Sequence, residues 1–249
     1  MNTKITHTHS QKANNTRIKQ MPDLIPGMIQ FGELNWIFGS DYSGSEPITA
    51  AIARTVTTGG YFERHLPAFQ GDVAVLHDYV LDDKIPYALK ANGVNMKNVW
   101  LPKVAKEARI GAMCVRKALD SLTNPKLLII SRLDLFTRST DGCVEEFYEE
   151  LDKILKICNQ RGCYVLISCD VNCLPKHEYQ ALASGQISNR LKNYSLTAPM
   201  NTRCGLMVLY RDIFYLDEKM PEQFHFVLLN NKYGARRFHL ERGAKPIWE

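Results

Sequence analysis

A glycine-containing stretch, residues 38–47 (FGSDYSGSEP), separates an apolar run from a run with helical periodicity. Gly39 and Gly44 have the spacing of a loop whose backbone N–H groups cradle phosphate at a helix N-terminus. Such a loop also needs a lysine that reaches the outer phosphates and a hydroxyl that holds magnesium. Ser45 stands at the lysine position and Glu46 at the hydroxyl position. The sequence therefore predicts a loop that has lost its phosphate chemistry.

The charge of this loop also argues against a bound nucleotide. The lysine position lacks its positive charge, and Glu46 adds a negative one. At about 5 Å and an effective dielectric constant near 20, one carboxylate costs roughly 3 kcal/mol against a single phosphate charge. That cost corresponds to more than about a hundredfold in affinity. We expect no cofactor, neither ATP nor magnesium, at this degenerate nucleotide loop, whose candidate residues are Gly39, Ser43, Gly44, Ser45 and Glu46.

The composition is that of a globular protein. The chain has 249 residues, of which 45% are hydrophobic, enough for one large domain. No apolar run approaches the 18 or so residues of a membrane span. The seven cysteines, an odd number, favour reduced thiols in the cytosol. Residues 1–22 contain no acidic residue and are predicted to be a disordered basic tail, which leaves residues 23–249 as a single domain.

Four cysteines and a histidine between positions 158 and 177 have the residue types of a zinc site: Cys158, Cys163, Cys169, Cys173 and His177. The apolar run 164–168 lies between Cys163 and Cys169, and as a strand it would hold its ends roughly 20 Å apart. Only Cys169, Cys173 and His177 could then converge. Buried, inert cysteines are the favoured interpretation, and no metal is predicted.

Apolar runs at residues 34–38, 72–77, 126–130 and 164–168 have the length and residue types of buried strands. Helical periodicity follows Pro47 and recurs at residues 103–122, 144–158 and within 176–193. Strands alternating with helices predict an α/β fold with a mostly parallel sheet and helices on both faces. Strand-like runs at 205–210, 223–229 and 237–240, with little helix between them, predict an antiparallel C-terminal extension.

Residues 36–62, from WIFG through AAIA to TTGGYF, resemble the start of the RecA-like ATPase core, in the branch of the plasmid replicative (RepA-type) hexameric helicases. Residues 125–136 resemble that family's Walker B strand and its following loop. Residues 162–168 resemble the next strand, and residues 231–234 a late strand-end motif. The resemblance extends over residues 22–249 in element order and implies a RecA-like fold.

The same resemblance implies that the catalytic residues have been lost. The Walker B aspartate corresponds to Ser131, with Asp134 three residues further on, and these two form the degenerate Walker B site. The family's histidine motif falls on residues 168–170, which contain no histidine. Asp78 and Asp82 both remain candidates for the catalytic acid expected after the second strand. No catalytic residue is predicted, and we lean towards a protein that is not an enzyme.

A basic and aromatic cluster lies near the C-terminus and includes Lys232, Tyr233, Arg236 and Arg237. Cations interleaved with aromatic side chains suit single-stranded nucleic acid or the acidic patch of a partner protein. An ordinary charged strand edge that prevents aggregation is the equal alternative. The net charge of +5 is compatible with each of these interpretations.

Together these features predict a non-catalytic RecA-fold subunit, a pseudo-ATPase, that acts by protein assembly in the cytoplasm. It would form a homo-oligomer or dock onto another subunit, in a plasmid or mobile-element replication or transfer machine, a setting that rests on family analogy. One alternative is an active ATP-dependent helicase or motor with unconventional contacts to ATP and magnesium. The other is a binder of single-stranded nucleic acid without ATPase activity.

Overall fold

The computed structural model describes residues 21–40, 45–62, 66–78, 84–103, 111–131, 133, 144–171, 206–211, 223–230 and 234–241. A parallel sheet forms the centre of the fold. Its five strands are β1 (Leu34–Ser40), β2 (Asp72–Leu76), β3 (Val99–Trp100), β4 (Pro125–Ile130) and β5 (Tyr164–Val171). They lie in the order β3-β2-β4-β5-β1, and every neighbouring pair is parallel. All four strands predicted before residue 170 are therefore present.

In the described part of the chain, four α-helices and one 3-10 turn lie between these strands. They are α1 (Ser45–Thr58), α2 (Lys84–Ala91), the 3-10 turn Met96–Asn98, α3 (Ala112–Asp120) and α4 (Val144–Gln160). Three further strands, β6 (Leu206–Arg211), β7 (Gln223–Asn230) and β8 (Gly234–Glu241), follow β1 in the strand order. The antiparallel character of this C-terminal extension stays a prediction and belongs to the proposal below.

The sheet buries apolar side chains on both faces, because successive strand residues point to opposite sides. In β2, Val73 and Val75 join the core beneath α1 and α2, whereas Ala74 and Leu76 join the core beneath α3 and α4. Strands β4 and β5 alternate in the same way. We call the two sides the α1–α2 face and the α3–α4 face. Helices on both faces of a parallel sheet confirm the predicted α/β class.

The connections reverse direction once along the chain. From β1 the chain crosses to β2 and then β3, with α1 and α2 on one face; it then returns to β4 and β5, with α3 and α4 on the other face. A right-handed crossover requires this change of face when the direction changes. The connections leaving β2 and β4 consequently diverge, and ligands of α/β proteins bind in such a crevice beyond the carboxyl ends of the strands.

The ends of the helices follow local chemistry. Gly59 follows α1 with φ +68°, and its N–H donates to the carbonyl of Thr55 at 3.0 Å, as is typical of a glycine that ends a helix. Helix α4 ends in a Schellman motif, in which Gly162 has φ +63° and the N–H of Cys163 donates to the carbonyl of Cys158 at 2.9 Å. Within the predicted helix 103–122, α3 covers residues 112–120, and residues 104–110 lie outside the described ranges.

The described chain begins with a turn that packs against the α1–α2 face. Leu24, Ile25, Met28 and Ile29 are fully or almost fully buried there. The Tyr164 hydroxyl donates to the carbonyl of Pro22 at 2.6 Å and anchors the start of this turn to β5. The predicted boundary between tail and domain at residues 22 and 23 stays a prediction, since residues 1–20 lie outside the described ranges. Among the helices that are described, none is both long and apolar enough to cross a membrane.

Candidate functional site at the carboxyl edge of the sheet

The predicted nucleotide loop connects the carboxyl end of β1 to the start of α1. Gly39 lies in β1 opposite Asp170 of β5, and β1 ends at Ser40. Helix α1 begins at Ser45, so the loop is placed between a strand and a helix, as a phosphate loop would be. Ser43 and Gly44 lie outside the described residues, so the conformation of the loop itself is not described.

The first turn of α1 is polar and buried. Ser45 is 1% exposed and Glu46 is 8% exposed. The hydroxyl of Thr49, which is also fully buried, donates to the Ser45 carbonyl at 2.9 Å. A carboxylate in the first turn interacts favourably with the helix dipole. Glu46 is the acidic residue of this turn, at the end of the helix where a phosphate loop would hold its phosphate.

Ser131, which occupies the Walker B aspartate position in the resemblance, lies directly beyond β4 and is fully buried. Its N–H donates to the carbonyl of Leu76 at 2.8 Å and so extends the pairing of β2 with β4 by one residue. An uncharged hydroxyl at this point cannot supply the carboxylate ligand that a magnesium ion prefers. Asp134 lies outside the described residues.

Sequence reasoning missed a row of buried polar residues across the ends of three strands. His77 follows β2, Ser131 follows β4, and Ser168 lies in β5; they are 4%, 0% and 1% exposed. Leu76 pairs with Ile130, and Ile130 pairs with Ile167, so the three polar residues occupy the next position on each strand. The alternation of β2, β4 and β5 places all three on the α1–α2 face.

This row and the first turn of α1 together form a buried polar layer at the carboxyl edge. Each of Ser45, Glu46, His77, Ser131 and Ser168 already interacts with other groups of the protein. The residue types include a nucleophile, a base and an acid, and all five residues are almost fully buried. The signal that could have located the row is a polar residue at the carboxyl end of each apolar run or directly after it, a feature visible in the sequence once the strands are aligned.

The other predicted site residues are divided between described and undescribed segments. Asp78 follows His77 and is partly exposed, whereas Asp82 lies outside the described ranges. Arg236 and Arg237 lie in β8, while Lys232 and Tyr233 lie outside the described ranges. The placement of the predicted basic cluster relative to the nucleotide loop therefore stays a prediction.

The described cysteines of the candidate zinc site are buried in the core. Cys158, Cys163 and Cys169 are free thiols with no exposed surface, whereas Cys173 and His177 lie outside the described ranges. Cys158 and Cys163 stand at the two positions that close the Schellman motif of α4. The hydrogen bond with Cys163 and burial raise the pKa of the Cys158 thiol, so it stays protonated and unreactive. No group of three or more metal-ligating side chains occurs among the described residues.

A polar groove of about 450 Å³ lies at the opposite, amino edge of the sheet. At its base the Asp72 carboxylate, 7% exposed, accepts hydrogen bonds from the Asn98 side chain and the Asn124 N–H, both at 2.7 Å. These bonds tie the start of β2 to the 3-10 turn and to the start of β4. We assign Asp72 a role in holding these three segments together, because both carboxylate oxygens already have donors within the protein.

Comparison of the sequence with protein-family models finds no match, and comparison with curated proteins finds no relative. The class of protein that the described residues define is therefore an α/β protein with a five-stranded parallel sheet covered by helices on both faces. That arrangement is consistent with a RecA-like fold.

Proposed function

We propose that this chain is a non-catalytic subunit with a RecA-like fold, which acts by assembling with other protein chains. The observation that carries the proposal is the buried Glu46 carboxylate in the first turn of α1, only 8% exposed. The N-terminal N–H groups of such a helix bind phosphate in nucleotide-binding proteins, and here the first turn of the helix carries a carboxylate of the protein itself. A bound phosphate would have to displace or repel this charge, without a lysine to compensate.

Two further features support the loss of nucleotide chemistry. The fully buried Ser131 replaces a metal-binding carboxylate, and the polar row that surrounds it is closed to solvent. The RepA-type branch, the antiparallel extension formed by β6 to β8 and the cytosolic location remain parts of the proposal. The position of β6 to β8 after β1 in the strand order supports the extension. The odd number of cysteines supports the cytosol.

Thermal unfolding with and without millimolar Mg-ATP tests the proposal. A ligand that binds only the folded state at about 100 times its Kd would add about 2.7 kcal/mol. For a chain of this size that gain would raise the Tm by about 5–11 °C. We expect no change beyond that caused by magnesium chloride alone. A reproducible rise that the Gly44→Asp variant abolishes would contradict the proposal and favour the alternative of an active ATP-dependent motor.

Assembly would bring the nucleotide loop of one subunit against the basic segment 232–237 of a neighbouring subunit. The burial of Glu46 makes it a poor probe of this contact, because Glu46→Lys would place a cation at the buried helix start and disturb folding. Asp41, in the undescribed part of the loop, is the better choice. We expect Asp41→Lys to weaken self-association and Arg237→Glu in the partner copy to restore it partly.

Sedimentation velocity of the wild type, each single variant and their mixture measures this effect. The Lys156→Glu variant, which changes an exposed charge on α4, is a matched control because it lies on the other side of the sheet. A wild type that remains monomeric at high concentration would contradict homo-oligomerisation. Unchanged self-association in Asp41→Lys would exclude the loop from the interface.

A further inference from the structure

Helix α2 was not predicted from the sequence, and its two sides differ sharply. The inner side buries three apolar residues in the core: Ile85, Ala88 and Leu89. The outer side exposes three residues at a spacing of three: Lys84, Tyr87 and Lys90. We call these three residues the α2 stripe. Residues three apart lie on the same side of a helix, so the tyrosine stands between the two lysines on one surface.

Tyr87 is 76% exposed, the highest value among the described large hydrophobic side chains. A single exposed aromatic residue is common and needs no functional explanation. The distinguishing feature here is its setting, because a lysine lies one helical turn away on each side. Three rise steps of about 1.5 Å separate neighbours, and Lys84 and Lys90 are therefore about 9 Å apart along the axis.

The two helical segments of the α1–α2 face are basic in the described part of the chain. Besides the two lysines of the stripe, residues 45–62 and 84–103 contain one arginine and two lysines, and their one acidic residue, Glu46, is buried. The α3–α4 face differs, since its basic residues are mixed with exposed acids such as Asp120, Glu149 and Asp152. Asp82 and Asp83 precede the stripe in the sequence and lie outside the described residues.

We propose that the α2 stripe binds single-stranded nucleic acid. Exposed aromatic rings stack on unpaired bases of any sequence, and neighbouring cations contact the phosphates of the same strand. Phosphates follow one another every 3.4 Å or so along a stacked strand, so two lysines about 9 Å apart can contact a segment of two or three nucleotides. The tyrosine between them then lies at the level of the intervening bases. A duplex offers only its phosphates to this surface, because its bases are paired and stacked.

The proposed contact is independent of the nucleotide loop. It needs neither ATP nor magnesium, and none of its residues belongs to the basic cluster at residues 232–237. It adds a nucleic-acid contact to the proposed assembly role, and either role can fail without the other.

Fluorescence anisotropy of the full chain with a labelled single-stranded oligothymidylate of about 12 nucleotides tests the proposal, within the usual site sizes. The measurement is repeated over a range of salt concentrations. Each lysine that contacts a phosphate contributes about −0.7 to the slope of log K against log salt. We expect the double variant Lys84→Gln/Lys90→Gln to make this slope shallower by about 1.4. Tyr87→Ala should lower the affinity about 5- to 150-fold and leave the slope unchanged.

Two control variants make the result specific. Tyr87→Phe keeps the ring and should bind like the wild type, and Lys156→Gln removes one exposed cation from α4 and should leave the slope unchanged. Thermal unfolding should show the same stability for all variants, because each altered side chain is largely exposed.

The proposal would be overturned if the wild type did not bind the oligonucleotide at low salt. It would also be overturned if duplex and single strand bound equally and Tyr87→Ala had no effect, or if Lys156→Gln changed the salt slope as much as the double lysine variant does. Loss of binding only in Arg236→Gln/Arg237→Gln, with the α2 variants unaffected, would also overturn it and assign the contact to the C-terminal cluster. If the α2 stripe bound an acidic protein partner instead, the wild type would not bind the oligonucleotide at low salt.

Discussion

Asn35 offers the sharpest test of how the start of the chain is held to the sheet. It lies in β1 and is fully buried. Its Oδ1 accepts the Gln30 N–H at 2.8 Å, and its Nδ2 donates to the carbonyls of Gln30, Glu33 and Val165 at 3.0, 3.2 and 2.9 Å. One side chain thus joins the N-terminal turn to β1 and to the neighbouring strand β5.

Replacing Asn35 with alanine removes an acceptor and two donor hydrogens at once. Each buried hydrogen bond contributes about 1 kcal/mol, and the groups left behind have no access to water. We expect Asn35→Ala to lower the free energy of unfolding by about 3 kcal/mol. In a chain of this size that loss corresponds to a fall in Tm of about 6–12 °C. Urea denaturation followed by circular dichroism measures it from the shift of the midpoint at an unchanged m-value.

Asn92→Ala is the matched control, because the Asn92 side chain makes a single bond, to the Ala88 carbonyl at 2.8 Å, at the end of α2. Its cost should stay below about 1 kcal/mol. The Asn35→Asp variant tests the sign of the change in stability with pH. Its carboxylate would face carbonyl oxygens, so its folded pKa should rise and the variant should lose stability as the pH increases above about 4. If Asn35→Ala and Asn92→Ala proved equally mild, the anchoring role of Asn35 would be refuted.

Three further predictions concern packing and capping. Gly71→Ala should lower the free energy of unfolding by about 1–3 kcal/mol, measured by urea denaturation. The reason is that a Cβ there would meet the Lys126 side chain and lie 2.5 Å from the Asn124 carbonyl oxygen. An unchanged free energy of unfolding would mean that the neighbouring groups move aside at no cost. Asp72→Ala should lower the free energy of unfolding by about 3 kcal/mol, because it leaves the Asn98 and Asn124 donors without their charged acceptor; retention of full stability would show that water replaces the carboxylate. The hydrogen bond that Glu150 accepts from the Ala112 N–H, at 2.5 Å, holds the pKa of Glu150 below its usual value, with a smaller contribution from Lys153. Glu150→Gln should therefore cost about 1 kcal/mol at neutral pH, and this difference should shrink as the pH falls below the usual pKa of a glutamate and vanish once the folded wild-type carboxyl is itself protonated. A difference that stayed equal at neutral and strongly acidic pH would rule out the charge as the cause.

Much of the architecture could be predicted because it follows from local patterns. The apolar runs that became β1, β2, β4 and β5 are short, rich in branched residues and bounded by turns, and such runs indicate buried strands whatever their neighbours. Helix α4 was predicted almost to its end because one apolar side and one acidic side repeat over four turns. Gly59 and Pro47 marked the ends of α1 for backbone reasons that need no tertiary contact.

Other elements could not be predicted because their stability comes from packing. Helix α2 has only eight residues and contains Pro86, so its apolar pattern is too short to distinguish from a loop. Strand β3 has two residues and exists as a strand only through its pairing with β2. The hydrogen bonds of Asn35 and Asp72 involve partners up to 130 and 52 residues away, and no local pattern reports such contacts.

For the candidate site, the sequence by itself determined which residues occupy the loop and that lysine is absent from its expected place. It also determined that Ser131 follows an apolar strand, because strand length and residue type are local properties. Only the tertiary structure decided the strand order β3-β2-β4-β5-β1, and with it the alignment of His77, Ser131 and Ser168 in one buried row. Strand order depends on which faces can be covered by the connecting helices, and that balance of burial involves the whole chain. The burial of Glu46 and the exposure of Tyr87 have the same origin, because each depends on which side of its helix faces the sheet.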